Sequence, residues 1–275
     1  MRRLAIRPGG IGDSILGFPA IHHLALDAEL EVWARAEVLP LLPFQSCTIE
    51  SSGIGLLGVT KPSPHLLDRL SRFDEIVSWY GSAREEFRQT LDNIHPRVIY
   101  LAALPAGNSQ HASDFFASQV GAPTPSIPQI ELRPTQHEQP GLVVIHPFSG
   151  SAQKDWSLDR YESLAQSLRL AGMEVCFCAA SHQNLPGARV ISDLAELGSF
   201  IKGASLYIGN DSGITHLAAA CGANVLALFG ASDAQVWAPR GARVRVIDSG
   251  DLHTLSNERV LAAVLAQPGF LQDQP

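Results

Sequence analysis

The sequence predicts an α/β protein made of two Rossmann-like domains, each built on a parallel sheet. Three observations support this. Short apolar runs alternate with amphipathic stretches along the chain, the pattern of βαβ units. The alternation is interrupted between Gly121 and Gln139, where Pro123, Pro125, Pro128 and Pro134 fall without sustained periodicity. Glycine-rich segments also follow three of the apolar runs, where a strand gives way to a helix, the place at which sheets of this kind bind ligands.

In the first half the apolar runs predict strands at 4–7, 30–34, 47–50, 75–79 and 98–102, with helices at 14–28, 64–71, 82–93 and 110–120. The proline-rich stretch reads as a linker with one extended piece at 129–132, and the boundary is expected near Gln136. That divides the chain into an N-terminal domain, 1–136, and a C-terminal domain, 137–275. The alternation then resumes with a strand at 142–146. The helix after Trp156 has Ser157 to cap it, Asp159 in its first turn, an apolar stripe of Leu158, Tyr161, Leu164 and Leu168, and Gly172 to end it. Further strands are expected at 174–179, 205–209, 225–229 and 243–247, and helices at 193–202, 214–221 and 257–266. Two such domains imply a cleft between them, with ligands beyond the carboxyl ends of the strands.

With 45% hydrophobic and 17% charged residues in 275, the chain reads as core-forming. A net charge of −7 argues against nucleic acid as a partner. Pro8, Gly9 and Gly10 break the first apolar run too early for a signal peptide, and no run approaches a membrane span, so a cytoplasmic protein is expected. Cys47, Cys176, Cys178 and Cys221 form no CxxC and read as buried reduced thiols, and no His or Cys cluster has metal-ligand spacing, so no metal is expected.

Three segments carry candidate chemistry. In Arg7-Pro8-Gly9-Gly10-Ile11-Gly12-Asp13-Ser14 the glycines permit a tight turn with exposed backbone N–H groups. As a dinucleotide fingerprint it is broken, because Ile15 occupies the third glycine position; a plain glycine turn with Asp13 as helix cap is the alternative. The second segment runs from His146 through Ser149 and Gly150 to Lys154-Asp155-Trp156. Lys154 stands out because the chain has just Lys61, Lys154 and Lys202 among 20 basic residues; an ammonium beside a Ser/Gly loop suits an anionic oxygen, and a solvated lysine is the alternative. The third is Gly209-Asn210-Asp211-Ser212-Gly213-Ile214-Thr215-His216, an apolar strand turning into a helix whose first N–H groups suit a diphosphate. Asp211 reads as a helix cap or as a partner of Lys154, and His216 lies a little over one turn in.

Together these segments resemble glycosyltransferase family 9, the heptosyltransferases of lipopolysaccharide core assembly. The resemblance rests on the Arg7–Asp13 segment with Pro19-Ala20, on His146-Pro147-Phe148-Ser149-Gly150 with Lys154-Asp155-Trp156, on the run from Gly209 to Ala220, and on Leu228-Phe229-Gly230-Ala231-Ser232-Asp233 with Trp237-Ala238-Pro239. It implies a GT-B fold and inverting sugar transfer without a metal or other cofactor. It implies a nucleotide sugar as donor, ADP-heptose being the usual one, and a glycan or glycolipid acceptor, with room for peripheral contact with the inner membrane surface. On that resemblance Asp13 is the base, with Gly10 and Gly12 in the acceptor-side loop. Lys154 and the N–H groups of Ser212 and Gly213 stabilise the leaving diphosphate, Ser149 and Gly150 touch the same phosphates, and the backbone near Ser192 meets the base. His216 steadies the loop or a phosphate, and Asp211 organises it. The chain departs from the family at Gln183, where a glutamate that contacts ribose is usual, and in an abbreviated stretch between Ser249 and Ser256. A catalytically impaired nucleotide-sugar binder and an NAD(P)-dependent oxidoreductase stay open as alternatives.

Overall fold

The structure is a computed structural model that describes residues 1–107, 110–132 and 139–266. The chain divides into two compact units, Met1–Pro128 and Gln129–Pro275. The boundary expected near Gln136 lies outside the described residues.

The first unit contains β1 (Arg2–Ile6), α1 (Ile11–Leu16), α2 (Phe18–Leu24), β2 (Glu29–Ala34), β3 (Gln45–Thr48), α3 (Ile49–Ser52), α4 (Pro64–Leu70), β4 (Glu75–Ser78), α5 (Glu85–Ile94), β5 (Val98–Tyr100) and α6 (Ala112–Gln119). Its five strands are parallel in the order β3-β2-β1-β4-β5. The second unit contains β6 (Gln139–His146), α7 (Leu158–Leu170), β7 (Glu174–Ala179), β8 (Arg189–Val190), α8 (Leu194–Gly203), β9 (Ala204–Asn210), α9 (Gly213–Ala220), β10 (Val225–Phe229), α10 (Ala234–Trp237), β11 (Val244–Asp248) and α11 (Asn257–Leu265). Its six parallel strands run β11-β10-β9-β6-β7-β8.

Renumbered within its own unit, each sheet has the Rossmann order, strands 3-2-1 on one side and 4 onward on the other. The order reverses between β1 and β4 in the first unit and between β6 and β9 in the second. At such a reversal the chain leaves neighbouring strands in opposite directions and opens a crevice at their carboxyl ends. The central strands are apolar because both faces are covered: Leu142 to Ile145 and Leu206 to Ile208 are buried throughout. Trp156, just before α7, and Tyr161 and Leu164 of α7 pack onto them, and Leu4, Ile6, Trp33 and Phe87 form the corresponding core of the first unit. No helix among the described residues is long and apolar enough to cross a membrane.

Four expectations are corrected. The helix expected at 14–28 is two helices that meet at Gly17. A Cβ on Gly17 would lie 2.8 Å from Arg7 Nε and 3.3 Å from the Ser14 carbonyl, so the strand-end guanidinium occupies the space a side chain would need. The strand expected at 47–50 ends at Thr48, whose hydroxyl caps α3 by accepting from the Ser51 N–H at 2.9 Å. Ser157 stands at the N-cap of α7 but its side chain makes no capping bond. Of the four cysteines, all free, Cys178 and Cys221 are buried, whereas Cys47 and Cys176 are partly exposed.

Candidate functional site

Both clusters of expected site residues sit at the two strand-order reversals. In the first unit the chain leaves β1 through Arg7, Pro8 and Gly9. Gly9 has φ +117, and a Cβ there would lie 2.9 Å from the Asp13 Cβ, so this turn needs glycine twice over. Gly10 is the N-cap of α1, Gly12 lies in the first turn, and Asp13 is the third helical residue. The Gly10 N–H donates to Asp13 Oδ2 at 3.2 Å, which bends the carboxylate back over the helix start. Asp13 is therefore not the cap residue itself.

Arg7, which the sequence marks just as the start of a motif, proves to hold this turn. Its guanidinium is buried, donates to the Asp13 carbonyl at 2.8 Å, and lies 4.1 Å from the Phe116 ring centroid and 5.7 Å from that of Trp79. Burial pushes its pKa down to about 10, opposed by the charge of Asp13. No carboxylate pairs with it among the described residues. The strand thus delivers a cation beneath the loop, and the loop folds onto it.

In the second unit the loop after β6 meets the loop after β9. Lys154 Nζ donates to Asp211 Oδ2 at 2.7 Å, with the lysine side chain 39% exposed and the carboxylate 9% exposed. The two open readings of Asp211 therefore resolve in favour of the ion pair; Ser212 caps α9, accepting from the Thr215 N–H at 3.3 Å. His216 Nε2 lies 3.9 Å from the other Asp211 oxygen. Gly213 is the first residue of α9, so its N–H precedes any intrahelical partner.

Asn210, fully buried, ties the two loops together, a role the sequence did not reveal. Its Oδ1 accepts from the Trp156 N–H at 3.0 Å and the Tyr161 hydroxyl at 2.9 Å, and its Nδ2 donates to the Pro147 carbonyl at 2.8 Å. The signal was a polar residue inside an otherwise apolar strand end. Gly209 is equally constrained: a Cβ there would lie 2.4 Å from the Tyr207 hydroxyl and 2.9 Å from Thr215 Oγ1.

The remaining expected residues are less closely gathered. The Ser149 hydroxyl donates to the Ser151 carbonyl at 2.7 Å and accepts from the Ser151 N–H at 3.2 Å, closing its own turn, while a Cβ on Gly150 would meet open space. Gln183 Oε1 accepts from the Ala180 N–H at 2.8 Å, so its amide folds back onto the loop after β7. Gln183 also faces His146, whose pKa burial lowers to about 4 and whose Nδ1 has no hydrogen-bond partner among the described residues. Ser192 is exposed just before α8, and among the described residues no bond ties it to the others. No group of three His, Cys, Asp or Glu among the described residues is placed to hold a metal ion.

Two Rossmann-like units of this topology are the GT-B fold of nucleotide-sugar transferases. The structure is similar to that of Escherichia coli ADP-heptose lipopolysaccharide heptosyltransferase II, with a TM-score of 0.72 at 18% identity over 97% of this chain and 98% of that one. A family 9 glycosyltransferase from Veillonella parvula gives 0.71 at 16% identity, over 96% of each chain. The E. coli heptosyltransferase WaaC, known with ADP, gives 0.65 at 15% identity, over 96% of this chain and 99% of that one. In sequence, lipopolysaccharide heptosyltransferase 3 of E. coli K12 is 34% identical over 113 residues, 35% of this chain and 33% of that protein, so the match spans about a third of the relative. The profile of glycosyltransferase family 9 (heptosyltransferase) matches residues 112–262, and the chain belongs to that family.

Proposed function

We propose that this chain is an inverting, metal-independent glycosyltransferase that moves a heptose or hexose from a nucleoside diphosphate sugar to a lipopolysaccharide-core or related glycan. ADP-heptose is the first candidate donor, and the acceptor places the protein at the cytoplasmic face of the inner membrane. The observation that carries the reading is the Lys154–Asp211 pair at the strand-order reversal of the second unit, beside the start of α9.

An ammonium has three N–H donors, and Asp211 takes one. The other two are available to diphosphate oxygens, and the first N–H groups of α9 add partial positive charge. Asp211 aims the lysine, and Asn210 holds both loops while the ligand comes and goes. In the reaction the acceptor hydroxyl oxygen bonds to the anomeric carbon and its proton passes to Asp13. The bond from that carbon to the diphosphate breaks, and its electron pair leaves on the nucleoside diphosphate. Lys154 and the N–H groups of Ser212 and Gly213 stabilise the charge that grows there. Asp13 is suited to the base role because its turn fixes its direction. Ser149, Gly150, Gln183, Ser192 and His216 complete the donor contacts.

Thermal unfolding with ADP-heptose, other nucleotide sugars and NAD(P), each with and without EDTA, tests this reading. A nucleotide sugar raises Tm and EDTA leaves the rise intact. Stabilisation by NAD(P) alone contradicts the transferase reading, and loss of the effect in EDTA contradicts metal independence.

A further inference from the structure

Strand β7 carries two thiols on one face. Val175 and Phe177 turn toward the apolar core of the second unit, so the alternation along the strand sends Cys176 and Cys178 together to the opposite side. Cys178 is buried, Cys176 is partly exposed, and the two thiols hydrogen-bond to each other. The edge strand β8 runs beside them. Arg189 is the register partner of Cys178, and its backbone hydrogen-bonds Cys176. Its guanidinium lies 4.3 Å from the Phe200 ring centroid, which anchors the charge at this edge of the sheet.

The contact with Cys178 and then the charge of Arg189 draw Cys176 down to about 7, against burial and the charge of Glu174. The same contact and burial push Cys178 up. The pair therefore gives up one proton near neutrality and keeps the second until something displaces it. A disulfide is a poor fit. Residues two apart on an extended strand have Cα atoms about 6.6 Å apart, whereas disulfides favour about 5.5–6 Å and end near about 6.8 Å. Pairing with β6 on one side and β8 on the other keeps β7 extended. A cation held between the sulfurs leaves the strand as it is. Zinc needs four ligands, and among the described residues no third His, Cys, Asp or Glu joins the two thiols. Cu(I) favours soft sulfur ligands and is satisfied by two thiolates.

We infer that Cys176 and Cys178 bind a single Cu(I) ion between their sulfurs, at a site that uses none of the residues proposed for sugar transfer. Both thiol protons leave to solvent, the bis-thiolate complex carries one negative charge, and the Arg189 guanidinium balances it. Titration of the intact, reduced chain with Cu(I) under nitrogen, in competition with the chromogenic chelator bicinchoninate, tests this. The wild type withdraws one Cu(I) per chain, and X-ray absorption of the loaded chain shows two sulfur neighbours. Cys176→Ser abolishes the uptake, and its partly exposed position keeps the fold, as circular dichroism checks. Cys178→Ala abolishes it too, whereas Cys47→Ser leaves it unchanged. Arg189→Ala, at an exposed position, lowers the affinity about tenfold. No uptake by the wild type, uptake that survives Cys176→Ser, or more than two sulfur neighbours overturns the inference.

Discussion

Lowering the pH from 7 to 5 should destabilise the second unit through His146, by an amount that can be worked out. The imidazole has an ordinary pKa near 6.5, and burial at the end of β6 lowers it to about 4. In the unfolded chain the ring binds a proton below pH 6.5; in the folded chain it stays neutral down to about 4. The unfolded state therefore holds more protons in this window, and stability falls as pH falls through it, levelling off below the folded value. The loss at pH 5 is about 2 kcal/mol, out of about 3 kcal/mol for the whole shift. Hydrogen bonds of the ring with the Phe148 backbone and the Gln183 side chain favour the charged form but offset the burial in part only. Urea unfolding at both pH values, followed by hydrogen exchange of β6 peptides, isolates the effect by comparing wild type with His146→Leu. The variant should lose about 2 kcal/mol less between pH 7 and 5. An identical pH dependence in the two proteins refutes the burial argument.

Three further outcomes follow from the geometry. Lys154→Ala leaves the 9%-exposed Asp211 carboxylate without its 2.7 Å partner, so it should cost about 1–3 kcal/mol in urea unfolding and weaken donor binding and turnover together. Gly209→Ala forces a Cβ to 2.4 Å from the Tyr207 hydroxyl and should cost about 1–3 kcal/mol; adding Tyr207→Phe should recover part of that, a coupling read from the double-mutant cycle. Arg7→Met removes a cation that burial disfavours by about 3 kcal/mol, together with a charged hydrogen bond and a ring contact of similar combined worth. Its stability should therefore change by less than about 2 kcal/mol, while kcat falls about tenfold because the Asp13 turn loses its anchor; an unchanged kcat contradicts that role.

What the sequence revealed depended on where the controlling interaction lies along the chain. Strand β10 matches its expected bounds because burial on both faces writes it as an apolar run, and β7 matches too, although Cys178 and Ala179 alone are fully buried in it. The two-residue β8 left no such trace, since Arg189 and Val190 are exposed. The break at Gly17 was hidden because its cause is the Arg7 side chain, ten residues earlier and on another element. The loops that bear Lys154 and Asp211 were legible from glycine content and charge, but they are 57 residues apart, so their pairing was open until the topology placed β6 beside β9. Asn210 was invisible as an organiser because its four bonds all reach distant residues.

Single-turnover kinetics of Asp13→Asn with saturating ADP-heptose and a lipopolysaccharide-core acceptor tests the central claim most directly. Asparagine keeps the shape of the side chain but cannot take the acceptor's proton. The account predicts donor affinity within about threefold of wild type and a rate of sugar transfer lower by about 10²–10⁴-fold. Transfer at the wild-type rate would contradict it.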